Sequence, residues 1–106
     1  MGFDQYHEPA SDLSQETRTF ARMIASLQEE CEAIGWYQQR ISIEQDTEAK
    51  SIMENAQKEE FLHFSMDLEF LMRGTPKWRV AAQKVLFQSG NIIENKERGE
   101  DAEGKM

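Results

Sequence analysis

A chain whose apolar residues recur at gaps of three and four over about thirty positions can satisfy that period only as a long helix. Here Leu13, Phe20, Ile24, Leu27, Cys31, Ile34 and Ile41 form the series, and the polar Thr17 and Gln38 fill its remaining places. No proline interrupts it. Ser11 or Asp12 stands where a helix cap belongs, with Gln15 three residues after Asp12 completing a weak capping box. Gly35 costs such a helix roughly 1 kcal/mol relative to alanine, which marks it as a point of close approach by a neighbour. The residues before the series, 1–10, are polar, end at Pro9 and read as an irregular lead-in.

The periodicity breaks over Ser42 to Thr47, where Asp46 or Thr47 is available as the next cap. A second helix is expected from about Glu48 to Arg73. Its latter half carries Phe61, Leu62, Phe64, Met66, Leu68, Phe70, Leu71 and Met72 around almost its whole circumference. A helix apolar on every side must be covered on every side, and one antiparallel neighbour from the same chain is not enough. Gly74-Thr75-Pro76 then places a glycine past one helix end, a threonine cap and a proline at the first position of the next. The third helix is expected over Pro76 to Gln88 with Trp78, Ala81, Ala82, Val85, Leu86 and Phe87, ended by Gly90. Residues 91–106 are charged and rich in small side chains, and read as a disordered acidic tail. The expected organisation is all-α: an irregular lead-in at 1–10, two long antiparallel helices and a short third one over 11–90, then the tail.

The seam of the second helix is not purely apolar. Met53, Ala56, Glu60, His63, Asp67, Phe70 and Leu71 share its row, and a buried carboxylate without a partner is costly enough to demand one. Glu60 and His63 lie one turn apart, so they present an oxygen and an imidazole nitrogen side by side. Glu30 sits one position before Cys31 on the edge of the first seam, with Met23 and Tyr37 one heptad to either side. Di-iron sites in helix bundles use a glutamate from each of two helices and a Glu-x-x-His pair from each of the other two. Glu30 with Glu60 and His63 is half of that set. A two-fold dimer completes both the ligands and a four-helix bundle. Four carboxylates and two imidazoles suit iron or manganese better than a metal that prefers thiolates. Tyr37 reads either as a core or interface side chain with a satisfied hydroxyl or as one that hydrogen-bonds a ligand or a bound water. Glu29 and Glu32 read either as a solvated acidic face or as a path for cations, and Trp36, on that other face, reads as a packing residue.

Twenty acidic against twelve basic residues give a formal charge of −8. That balance argues against a nucleic acid as partner, which would need clustered Lys and Arg, and favours the gathering of cations. At 106 residues the chain makes one domain with a modest core, so self-association is a route to stability. The single cysteine, Cys31, fits a reducing compartment. No stretch approaches the ~20 apolar residues that span a bilayer, and the start lacks the pattern of a leader. A soluble, cytoplasmic protein with no membrane partner is expected.

The run Glu29-Glu30-Cys31-Glu32-Ala33-Ile34-Gly35-Trp36-Tyr37-Gln38-Gln39-Arg40 resembles the first-helix signature of the encapsulated ferritin family. Glu59-Glu60-Phe61-Leu62-His63 with Met66-Asp67-Leu68-Glu69 resembles its second. His7-Glu8-Pro9 and Val85-Leu86-Phe87 are also similar, so the likeness extends over residues 7–93. The resemblance implies a half-ferritin fold whose dimers build an annular decamer, with a ferroxidase centre at a dimer interface. It implies Glu30, Glu60 and His63 as iron ligands, with Tyr37 and Trp36 beside the centre. Glu29 and Glu32 would form a secondary site for calcium or another divalent cation on the approach path. It further implies delivery of oxidised iron into an encapsulin shell, and therefore a place inside that nanocompartment. The family's C-terminal targeting peptide has a Gly-Ser-Leu type motif, which Glu103-Gly104-Lys105-Met106 does not show. Two other readings stay open: a non-catalytic helical assembly protein that binds divalent ions structurally, and a di-manganese redox enzyme.

Overall fold

In the computed structural model the described residues are 6–106, and positions 1–5 of the expected lead-in lie outside them. The described residues form one 3-10 turn and four α-helices, with no strand among them. The helices are α1 (Gln15–Ile43), α2 (Thr47–Arg73), α3 (Pro76–Val85) and α4 (Ile92–Gly104). The chain divides into two units, the first ending at Glu69 and the second comprising Phe70–Met106.

The first helix begins later than its sequence signals suggest. Ala10–Asp12 take the 3-10 turn, with Asp12 N–H donating to the Pro9 carbonyl (2.9 Å) and Leu13 N–H to that of Ala10 (3.1 Å). Leu13 is then extended, so neither Ser11 nor Asp12 serves as the cap. Ser14 does, its hydroxyl accepting from Thr17 N–H at 3.1 Å. At the far end Glu44 N–H donates to the Arg40 carbonyl (3.1 Å), and the Asp46 carboxylate accepts from Ala49 N–H (2.8 Å) to cap α2. Only residues 44–46 separate the two helices, and so short a link makes them antiparallel neighbours. Gln57 Nε2 donates across to the Ile34 carbonyl (3.2 Å) and to Gln38 Oε1 (3.0 Å). Gly35 does not mark a close approach within the chain, since nothing lies within 4 Å of where its Cβ would be.

In the second unit α3 opens on Pro76, as the Gly74-Thr75-Pro76 signal predicts, although the Thr75 side chain makes no cap bond. It ends at Val85 rather than Gln88. Leu86 N–H closes it on the Ala82 carbonyl (2.8 Å), and the chain turns through Phe87 at φ 61° and Gly90 at φ 91°. The expected disordered tail is instead α4. Asn91 caps it by accepting from Glu94 N–H at 3.0 Å. The helix packs on α3 along a row of small and polar residues: Asn95 is fully buried and so is Gly99, whose missing Cβ would stand 3.1 Å from the Ala81 carbonyl oxygen. Asn95 Nδ2 donates to the Ser89 carbonyl (3.2 Å), and its Oδ1 accepts from Arg98.

Among the described residues only Ala25 and Leu71 are fully buried apolar side chains. Leu62 and Met66, one turn apart on α2, remain 53% and 64% exposed. So little core leaves part of the apolar circumference of α2 uncovered, at Phe61, Leu62, Met66 and Phe70, which is the shortfall that small domains make up by association.

Candidate metal centre

The register between α1 and α2 decides which polar groups meet. Gln57 faces Ile34 and Gln38. Antiparallel helices advance in opposite senses from there, so the next three turns of α2 lie opposite residues earlier in α1. Glu30 accordingly faces Glu60, His63 and Asp67. The inward stripe of α1 follows the apolar series at Leu27, Ile34 and Ile41 but takes Glu30 and Tyr37 where the series has Cys31 and Gln38, which are exposed. Glu30 therefore occupies the seam itself rather than its edge. Cys31, expected to pack there as an aliphatic residue would, faces outward.

Within this group His63 Nδ1 lies 3.5 Å from Glu60 Oε1, the pair expected from the i, i+3 spacing. His63 remains 46% exposed and Glu60 23%, so the imidazole stands at the open side of the cluster. Glu30 Oε2 and Asp67 Oδ2 are buried and have no hydrogen-bond partner among the described residues. Burial raises the Glu30 carboxyl from its ordinary 4.5 to about 7, helped by the adjoining Asp67 carboxyl and by the negative charge of Glu60, and opposed by His63. Buried carboxylate oxygens without donors call for a proton or a cation.

The donor set fits a hard divalent cation: three carboxylates and one imidazole, two of the oxygens free of any competing bond. Among the described residues no group of three or more His, Cys, Asp and Glu is arranged to hold a metal within one chain. Glu30, Glu60 and His63 thus adjoin one another without closing a site by themselves.

The remaining candidates lie apart from this cluster. Tyr37 is half-buried two turns along α1, with the Arg40 guanidinium 5.3 Å from its ring centroid. Glu29, Glu32 and Trp36 are exposed on another face of α1. The sequence leaves Asp67 between orienting the His63 imidazole and facing the rim of a dimer, and does not join it to Glu30. Its signal was present, since it falls one heptad after Glu60 and one turn after His63, but its meeting with Glu30 depends on the register between the helices.

A family model described as EncFtn-like matches residues 5–89. The chain is 43% identical over 94 residues to a ferritin-like protein of Thermotoga maritima, covering 89% of this chain and 82% of that one. It is 40% identical over 86 residues to an encapsulated ferritin-like protein of Rhodospirillum rubrum, covering 81% of this chain and 61% of the relative's length. Among solved structures, the crystal structure of protein ne0167 from Nitrosomonas europaea superposes with a TM-score of 0.80 at 39% identity, covering 84% of this chain and 98% of that one. The likeness thus spans the α1–α2 hairpin with its inward carboxylates and the start of the second unit, and the chain belongs to the EncFtn-like family of encapsulated ferritin-like proteins.

Proposed function

We propose that the protein is a ferroxidase: Fe(II) is its substrate, and dioxygen accepts the electrons as Fe(III) forms at a di-iron site shared by two copies of the chain. The observation that carries this reading is the pair of buried, donor-free oxygens of Glu30 and Asp67 beside Glu60 and His63. Glu30, Glu60 and His63 of each chain would bind the iron, giving four carboxylates and two imidazoles per pair. Anionic oxygen ligands lower the energy of Fe(III) relative to Fe(II), because the harder and more highly charged ion gains more from them. Tyr37, two turns along α1 from Glu30, would bring its hydroxyl to the centre only in the pair, and the exposed Glu29 and Glu32, with Trp36, would form the secondary site that gathers cations on the way in.

A two-fold pairing is supported by the exposed Leu62 and Met66 on the helix that carries Glu60 and His63. The pairs assemble into an annular decamer, and the family relationship supports delivery of oxidised iron into an encapsulin shell. No helix among the described residues is long and apolar enough to cross a membrane. Aerobic addition of Fe(II) should give a ferric absorbance change, and Glu30→Ala, Glu60→Ala or His63→Ala should each remove most of it. Unchanged turnover in all three variants would end the reading.

A further inference from the structure

We propose that Asp67 is a positioning residue of this centre, acting on the cation through Glu30; the inference rests on the reading above that Glu30, Glu60 and His63 bind a divalent metal. Asp67 lies one heptad after Glu60 and one turn after His63, which puts it on the face of α2 that meets Glu30. Its Oδ2 and Glu30 Oε2 are buried without donors among the described residues. An asparagine here would have nearly the same shape and would offer an N–H to Glu30. The carboxylate at this position instead sets a second negative charge beside a ligand, and in a partly buried setting that charge strengthens the ligand's hold on a cation. It also limits the orientations open to the Glu30 carboxylate, as groups behind metal ligands do.

Asp67→Asn therefore moves two readouts in opposite directions. In the metal-free protein it removes a like charge and supplies a donor, so the fold should be at least as stable as the parent's. In the metal-bound protein it weakens the draw of Glu30 on the cation. A residue with a merely structural role would lower both. The experiment pairs urea unfolding of the metal-free protein with titration of the full chain by Co(II), followed by its absorbance. Affinity is expected to fall at least tenfold in Asp67→Asn, within the range typical for groups that support metal ligands, with an unchanged or higher unfolding midpoint. Asp67→Glu, which keeps the charge, should lose less.

A loss of less than tenfold, a lowered midpoint, failure of Asp67→Asn to fold, or a larger loss in Asp67→Glu than in Asp67→Asn would each overturn the proposal. A parent protein that binds Co(II), but not after Glu30→Ala, keeps the metal reading intact whatever Asp67 does. A parent that does not bind Co(II) overturns both.

Discussion

Asn95 on α4 and Glu30 on α1 are both polar side chains turned inward from a helix, and their surroundings treat them differently. Asn95 is fully buried with its amide N–H on the Ser89 carbonyl and its oxygen held by Arg98. Glu30 is half-buried beside two further carboxylates, with one oxygen lacking any partner among the described residues. In the second unit a buried polar group is part of the packing and is satisfied, as most are in folded proteins. The α1–α2 seam leaves such groups unsatisfied at one place, where three acidic residues and a histidine converge. The same chain that pairs Asn95 leaves one oxygen each of Glu30 and Asp67 without a partner among the described residues, and the proposed chemistry rests there.

The sharpest break between the two regions would come from Glu30→Met and Asn95→Ala. Glu30→Met should abolish the ferric absorbance change while leaving the metal-free fold at least as stable, since it removes a poorly partnered charge. Asn95→Ala should leave iron oxidation intact and cost about 1–3 kcal/mol by urea unfolding, because the Ser89 carbonyl loses its donor. If both variants lost stability alike, the distinction between site and packing would fail.

The next effect is one of pH. Because Glu30 in the fold lies at about 7 rather than 4.5, the folded chain holds more protons than the unfolded one between those values. The stability this contributes is fully present below 4.5 and is lost as the pH rises through about 7. Metal-free protein should therefore unfold more readily at pH 7.5 than at pH 5.5, and Glu30→Gln should flatten that slope. A cation that takes the carboxylate must displace the proton, so metal binding should strengthen over the same interval.

The smallest effects compare two glycines. Gly35→Ala meets nothing within 4 Å in the chain and should stabilise α1 by up to about 1 kcal/mol. Gly99→Ala brings a Cβ to 3.1 Å from the Ala81 carbonyl, so the gain in helix propensity should be offset and the net change on unfolding should be zero or unfavourable. A gain at Gly99 equal to that at Gly35 would mean that α4 is not tightly docked on α3.

How much of this was legible in the sequence follows from what each residue type signals. The two long helices and the start of α3 were legible because apolar period, missing prolines and the Gly74-Thr75-Pro76 stop are local features. The helix α4 was not, because the row that packs on α3 is Asn95 and Gly99, which carries no hydrophobic stripe. Its cap was readable, since Asn91 stands three residues before Glu94. The α1 seam departs from its apolar period at one place for a related reason: an apolar count takes Cys31 as core and Glu30 as rim, whereas Cys31 is exposed and Glu30 half-buried. The adjacency of Glu60 and His63 was legible because it lies within one helix. Asp67 acquires its neighbour only through the pairing of α1 with α2, which no spacing within α2 reveals.

The central claim is that one chain owns half a centre. Native mass spectrometry of the protein titrated anaerobically with Fe(II) tests it by counting metal and chains together. Two irons for each pair of chains, with stoichiometric binding lost after Glu30→Ala, is the predicted result. A monomer that binds its full complement of iron, or a pair whose iron content is unchanged by Glu30→Ala, would contradict it.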